Sequence, residues 1–262
     1  WFSNPTLYFF LQALFIKALG QTSAAIRLSS VLVSSATIIL LYLFARHFYG
    51  RWVALLSALF LATYHYAIHY GRMALNNIWD PFFSLGAFYF FSRGLETRRR
   101  GYWLAAALMV GFSVYFHAGS RLTEIILLTF FLYWLLRDRS ILRGNVGNMA
   151  VFLLVVLVIV LPLFSFFATH PNDMLAPWRR RAIFATGWVD EQVQTTGQSV
   201  SSILVRQFLK SVLAFNAAPD TVFHYHPDIP LLQFLPSIFF VFGLAYAVRN
   251  ANKPEYFLLI LW

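Results

Sequence analysis

Long apolar runs separated by short polar loops dominate the chain. The runs cover roughly Leu28–Phe44, Trp52–Ile68, Ile78–Phe91, Tyr102–Phe116, Leu122–Leu136, Ala150–Phe167, Leu231–Val248 and Tyr256 to Trp262. A membrane-crossing helix needs about 20 apolar residues, within a range of about 17–25. Flanking Ala, Ser, Trp and Tyr lengthen the shorter runs, so the pattern predicts about seven to eight transmembrane helices, the eighth incomplete. The opening run Pro5–Ala18 is shorter and carries Gln12, which suits a helix lying at the membrane interface.

The loops between the runs alternate in charge. Segments 45–51, 93–101, 137–149 and 249–255 hold 11 of the 20 basic residues, among them Arg98, Arg99, Arg100, Arg137, Arg139 and Arg143. Short loops rich in Lys and Arg stay in the cytoplasm, which places this set inside. Seven of the ten acids (Asp80, Glu124, Asp173, Asp190, Glu191, Asp220 and Asp228) then fall on or near the outer side. The expected organisation is a first transmembrane part over residues 1–168, an outer loop over 169–229, and C-terminal transmembrane helices over 230–262. Within the loop, Ser199–Phe215 repeats Ile203, Leu204, Phe208, Val212 and Phe215 at a helical period, the pattern of an amphipathic helix on a membrane surface. The fold class is therefore an all-α polytopic membrane protein with outer amphipathic helices and one long outer loop.

Composition narrows the function classes. The chain is 60% hydrophobic and 11% charged, against about 45–50% and about 25% in soluble domains. A soluble monomer cannot hide that much apolar surface. The absence of cysteine excludes a disulfide scaffold, a zinc-thiolate site and a cysteine nucleophile. A net charge of +10 would point a soluble protein toward nucleic acid, but here it follows from the basic loops, and no nucleic-acid module is visible. No Gly-rich phosphate loop, serine-hydrolase elbow or zinc-protease helix is present. The first residue is Trp rather than Met and the last lies inside an apolar run, so the expectation is an internal part of a longer protein.

The unusual polar residues gather at the outer ends of the runs. One cluster is His65, His69, Arg72, Asn76, Asn77 and Asp80. If the chain is helical from Ala74, Asn76 and Asp80 share a face, and a cation beside amides and a carboxylate can bind a phosphate together with a sugar hydroxyl. The competing reading is helix capping and headgroup contact. A second cluster is His117, Gly119, Ser120, Arg121 and Glu124, where Arg121 and Glu124 either neutralise each other or wall a site. A third is Asn216, Asp220, His224, His226 and Asp228. The alternation of His224, His226 and Asp228 turns three ligand-type side chains one way in an extended chain, compatible with either a divalent metal or a solvated loop. Arg179, Arg180 and Arg181 can meet anionic headgroups.

A series of short motifs adds a resemblance. Asn4-Pro5-x-Leu7-Tyr8, Phe15-x-Lys17-x-x-Gly20, Ala25-x-Arg27-Leu28, Arg46-x-Phe48-Tyr49-Gly50 and Gly71-Arg72-Met73-Ala74-Leu75-Asn76 occur in that order, followed by Phe215-Asn216-x-x-x-Asp220 and Pro230-Leu231-Leu232. The series resembles the GT-C glycosyltransferases that include dolichyl-phosphate-mannose–protein mannosyltransferases and bacterial aminoarabinose transferases. The resemblance implies transfer of a sugar from a polyprenyl-phosphate donor to a glycan, lipid or protein acceptor at the outer face of a bacterial plasma membrane. Taken with the clusters above, the substrate-binding candidates are Asn4, Arg72, Asn76, Asn77, Asp80, His117, Arg121, Glu124 and Asp220, with His224 and His226 as metal candidates. The resemblance also implies a catalytic Asp in a first outer loop, upstream of Trp1. Asn4 stands where some relatives carry Lys, and Asn76 where many carry Asp. Asp80, one turn further on, is expected to bind sugar or a metal rather than act as the base. A transporter or flippase of lipid-linked glycans is the alternative, but neither an internal repeat nor frequent Pro within the spans supports it.

Overall fold

The computed structural model describes residues 7–219, 225 and 227–262, and these are organised as α-helices joined by short turns. Two compact units are distinguished, Trp1–Pro171 with Lys253–Trp262, and Asn172–Asn252.

The first unit opens with α1 (Leu7–Leu19) and α2 (Ser23–Tyr49). The Thr22 hydroxyl accepts from the Ala25 N–H and caps α2. Next come α3 (Arg51–Thr63), α4 (His65–Arg72), α5 (Trp79–Thr97), α6 (Arg100–Ser113), α7 (Arg121–Arg137) and α8 (Val146–Thr169), and α13 (Pro254–Leu261) closes the unit. Its core runs along α5 and α6, where Leu85, Phe88, Phe91, Trp103, Ala106 and Phe130 of α7 are buried. Small residues make the close approaches. An added Cβ on Gly94 would meet the Trp103 indole at 3.0 Å, and one on Gly111 would meet Ile159 of α8 at 2.9 Å. Small residues at helix crossings are the usual means of tight packing in lipid.

The helices carry the apolar faces that a bilayer requires. Along α7, Leu122, Ile125, Leu128, Leu132 and Leu136 are exposed while Thr123, Ile126, Leu127 and Phe130 are buried. Along α8, Leu153, Leu154, Leu157, Val158, Leu161 and Phe164 are exposed. An apolar helix with an exposed apolar face belongs in hydrocarbon, and the chain is an all-α membrane protein.

Fewer described helices than apolar runs have the length and apolarity of a full span. Three helical stretches among the described residues are long and apolar enough to cross: Ser23–Tyr49, Ala118–Arg137 and Val146–Thr169. The run Trp52–Ile68 is divided into α3 and α4 with a 55° bend, a fourth candidate if the pair counts as one. Elsewhere α5 has 19 residues without meeting that apolarity, and the other helices are shorter. At 14 residues, α6 rises about 21 Å at about 1.5 Å per residue, less than the hydrocarbon thickness of about 30 Å.

Contacts sort the loops of this unit into two ends. Near the basic loops, His47 Nε2 lies 3.0 Å from Glu96 Oε1 and the Tyr49 hydroxyl donates to Glu255 O at 2.7 Å. There too Asn145 Nδ2 donates to Leu95 O at 3.0 Å and Asn148 Nδ2 to Arg98 O at 2.9 Å. Four loop regions that the alternation assigns to one side thus meet through direct bonds. At the other end, the 76–80 and 113–121 segments meet.

The second unit contains α9 (Pro171–Arg181), α10 (Trp188–Thr196), α11 (Val200–Leu213) and α12 (Phe234–Arg249), Pro171 itself being grouped with the first unit. The amphipathic helix expected over Ser199–Phe215 is α11, capped by the Ser199 hydroxyl accepting from the Ser202 N–H. Its Val205, Phe208, Leu209 and Val212 are exposed. The two late motifs come together here: Leu231 and Leu232 N–H groups donate to Ala214 O at 2.9 Å and Phe215 O at 2.8 Å, and Phe215 stacks on Phe240 at 5.0 Å.

Candidate active site

The site is built where α5 and α7 begin. Residues Asn76–Ile78 form a 3-10 turn ahead of α5, and Pro81 occupies the first turn of that helix, where a missing N–H costs nothing. On the facing side, α6 ends at Ser113 and a second 3-10 turn, Ala118–Ser120, leads into α7.

Side chains of the first segment reach the second. Asn76 Nδ2 donates to Phe116 O at 2.9 Å. The next described contact joins Asp80 Oδ2 to His117 Nδ1 at 2.5 Å, with both side chains about a quarter or less exposed. The single Ser120 Oγ–H is shared between His117 O at 2.5 Å and Ser113 O at 2.8 Å. Ser113 Oγ donates to Glu124 Oε1 at 2.8 Å. Glu124 occupies the first turn of α7, where the helix dipole favours a carboxylate.

Gly119 is required by this geometry. A Cβ there would stand 2.7 Å from Asp80 Oδ2 and 2.9 Å from His117 Nδ1. The Gly119 N–H also lies 3.2 Å from His117 Nδ1. One ring nitrogen cannot both accept from Gly119 and donate to Asp80. Nδ1 with a hydrogen donates to the Asp80 carboxylate, and Nδ1 without one accepts from the Gly119 N–H and caps the turn, so the tautomer decides between the two bonds.

An aromatic wall backs the pair. Trp79 packs on Phe116 at 4.4 Å and Phe83 on Phe116 at 5.0 Å, with Tyr8 of α1 buried in the same cluster. The Leu7 N–H donates to Tyr115 O at 3.2 Å, which ties the start of α1 to this end. The Tyr115 hydroxyl donates to Ile159 O at 2.7 Å and ties α8 in as well.

A cleft of about 210 Å³ opens beside the α3–α4 bend, with Tyr64, Tyr66, Tyr70, Ser34, Asn77 and Pro81 in its lining. Tyr66 stacks between Tyr64 at 5.7 Å and Tyr70 at 6.0 Å. Asn77 Oδ1 is buried and has no hydrogen-bond partner among the described residues.

The sequence candidates fall into four groups. Asn76, Asp80, His117 and Glu124 belong to one connected network, although Asn76 precedes α5 in a 3-10 turn rather than sharing a helical face with Asp80. Asn77 lines the cleft. Arg72 is exposed at the end of α4 and enters none of the ion pairs among the described residues, and the Arg121 guanidinium lies over the Phe167 ring at 5.7 Å. Asn4, Asp220, His224 and His226 lie outside the described residues. Among the described residues no group of three or more His, Asp or Glu is placed to hold a metal ion. Ser113 and the three tyrosines were not singled out by sequence. Their signals are a hydroxyl at the end of an apolar run and the spacing Tyr64, Tyr66, Tyr70 at the break in another.

Against known proteins, residues 3–166 match the family model described as dolichyl-phosphate-mannose-protein mannosyltransferase. No curated protein and no solved structure matches the chain.

Proposed function

The chain belongs to the dolichyl-phosphate-mannose-protein mannosyltransferase family and is a membrane glycosyltransferase of the GT-C type; from that premise we propose that it transfers a sugar from a polyprenyl-phosphate donor to a hydroxyl-bearing acceptor at the end of the bundle where α5 and α7 begin. The observation that carries the reading is the convergence of Asn76, Asp80, His117 and Glu124 at the end opposite the basic loops.

The chemistry suits that end. Breaking a sugar–phosphate bond builds negative charge on the departing phosphate oxygen, and a preorganised cation lowers the barrier. Among the described residues no carboxylate lies within ion-pair distance of Arg72, and its planar fork matches two phosphate oxygens. The tyrosine-lined cleft offers an aromatic surface to the sugar face or the first isoprenyl unit, with Asn77 in its lining. The basic loops face the cytoplasm by the positive-inside rule, which makes this the outer face. Asn4 and Asp220 remain substrate-binding candidates and His224 and His226 metal candidates on the sequence alone, and Arg121 is a candidate for the basic rim of the site. A bacterial plasma membrane is the expected location.

The test is turnover by the full-length protein in sealed proteoliposomes containing dolichyl-phosphate-[14C]mannose. The expected result is formation of free dolichyl phosphate with mannose on an acceptor or in water. Arg72→Ala removes most of that turnover with insertion unchanged, and Arg72→Lys recovers part. Movement of intact dolichyl-phosphate-mannose across the bilayer without cleavage makes the protein a flippase instead. The bend between α3 and α4 is the feature that such a result would explain.

A further inference from the structure

The basic end of the first unit carries more than the charge that orients a membrane protein. The 93–101 and 137–149 segments hold seven arginines and no lysine. Orientation needs only positive charge, which Lys supplies as well as Arg. A planar fork matters where two oxygens of one phosphate are held at once. Arg93 is already engaged, 3.5 Å from Glu96 Oε2 and over the Tyr102 ring at 5.5 Å. Arg98, Arg99, Arg100, Arg137, Arg139 and Arg143 are exposed and enter no ion pair among the described residues. Besides Glu96, the two segments contain one carboxylate, Asp138. Its side chain accepts from the Ser140 N–H at 2.9 Å and caps the turn that follows.

The two segments form one surface, joined by the bonds from Asn145 to Leu95 O and from Asn148 to Arg98 O. The Arg98 side chain crosses from one segment to the other. A Cβ on Gly144 would stand 2.9 Å from Arg98 Nη1 and 3.1 Å from Cζ, so glycine there leaves room for the fork. Arg98 itself ends α5 in the left-handed region, at φ 58°, with its N–H donating to Gly94 O. Glycine usually takes that place because a Cβ is strained there. An arginine in its stead is a side chain retained at a cost to the helix end.

The helices turn apolar immediately beside these arginines. Leu136, next to Arg137, is 80% exposed, and Val146, at the start of α8, is 65% exposed. Leu104, one turn after Arg100 on α6, is exposed as well. Such neighbours offer nothing to a soluble anion, whereas a lipid places acyl chains against them and its headgroup against the cations. We propose that the Arg98–Gly144 seam, flanked in sequence by Arg99 and Arg143, binds the phosphodiester headgroup of an acidic glycerophospholipid. The Arg98 fork takes two phosphate oxygens, and the neighbouring arginines raise the local positive potential. The site lies at the end opposite Asn76, Asp80 and His117, and it is independent of the transferase reading.

Native mass spectrometry of the full-length protein in neutral detergent tests the proposal, with phosphatidylglycerol and phosphatidylethanolamine supplied at equal concentration. The wild type binds phosphatidylglycerol saturably and with the lower apparent Kd. Arg98→Gln weakens that binding about five-fold, the effect of one arginine at an anionic membrane surface, and Arg98→Lys recovers only part. Arg46→Gln removes the same charge where the guanidinium lies over the Tyr42 ring at 5.9 Å, and leaves the affinity unchanged. Equal affinity for the two lipids overturns the proposal. So does an Arg98→Lys variant that matches the wild type, or an equal loss in Arg98→Gln and Arg46→Gln, because either reduces the surface to diffuse charge. Should Arg98→Gln fail to fold, the combined Arg99→Gln and Arg143→Gln variant shows the loss instead. Inorganic phosphate at the lipid's own concentration does not displace it; displacement would give the surface to a soluble phosphate and overturn the lipid assignment.

Discussion

Adding a single methyl group at position 119 tests the geometry without deleting any functional group. The Gly119 backbone lies outside the left-handed region, so alanine is conformationally tolerated and only space is at issue. The new Cβ would sit 2.7 Å from Asp80 Oδ2, whereas ordinary contact begins at 3.4 Å, so the carboxylate must retreat by about 0.7 Å. A hydrogen bond to a charged group contributes about 1.5–3 kcal/mol, and overpacking typically costs about 1–3 kcal/mol. Partial relaxation reduces both, and the net expectation is about 2 kcal/mol. Gly101→Ala is the control, because nothing lies within 4 Å of its Cβ position. It stands in α6, where Gly→Ala stabilises by about 0.5–1 kcal/mol. Thermal unfolding followed by intrinsic tryptophan fluorescence reads the first effect, and carbethoxylation of His117 reads the second. Gly119→Ala melts several degrees lower and is modified more slowly at His117, whose ring has lost its carboxylate partner, while Gly101→Ala does neither. If the two variants match in stability and in His117 reactivity, the close approach of Asp80, His117 and Gly119 is wrong.

Three further outcomes follow from the same structure. In intact cells expressing the otherwise cysteine-free protein, Arg98→Cys resists an outside-only thiol reagent and Ser199→Cys is labelled; the reverse pattern inverts the topology. Gly111→Leu drives a side chain into Ile159, where a Cβ alone would already stand at 2.9 Å, and lowers the melting temperature by more than Gly243→Leu, which has open space. Asn148→Ala loses the bond to Arg98 O and destabilises by about 1 kcal/mol, measured by the same unfolding assay.

The parts of this architecture that were legible are those written in local periodicity. The apolar runs marked helices, and α11 appeared where the 199–215 pattern placed it. The meeting of the basic loops followed from their alternation, because helices of a bundle return each second loop to the same end. The break at Tyr64 was not legible. The run Trp52–Ile68 has neither Pro nor Gly at its centre, and its only local sign is the polar pair His65 and His69 beside stacked tyrosines. The end of α6 was not legible either: it stops at Ser113, whose hydroxyl lies between Val110 O and Glu124 Oε1. At the site, both clusters were visible as polar residues at run ends, but their joining was not. Asp80 and His117 lie 37 positions apart, and no helical period relates residues on different helices. Gly119 could be recognised as a requirement only once both partners were in place.

The central claim is that donor chemistry occurs where α5 and α7 begin, and the most direct measurement is where the donor lies. A dolichyl-phosphate-mannose analogue with a diazirine on its first isoprenyl unit can be photolysed on the full-length protein in nanodiscs, and the labelled peptides sequenced by mass spectrometry. The account predicts label within residues 64–83 and 113–124, reduced by excess dolichyl-phosphate-mannose and by Arg72→Ala. Label concentrated in 93–101 and 137–149, and equally competed, would place the donor at the opposite end and contradict the account.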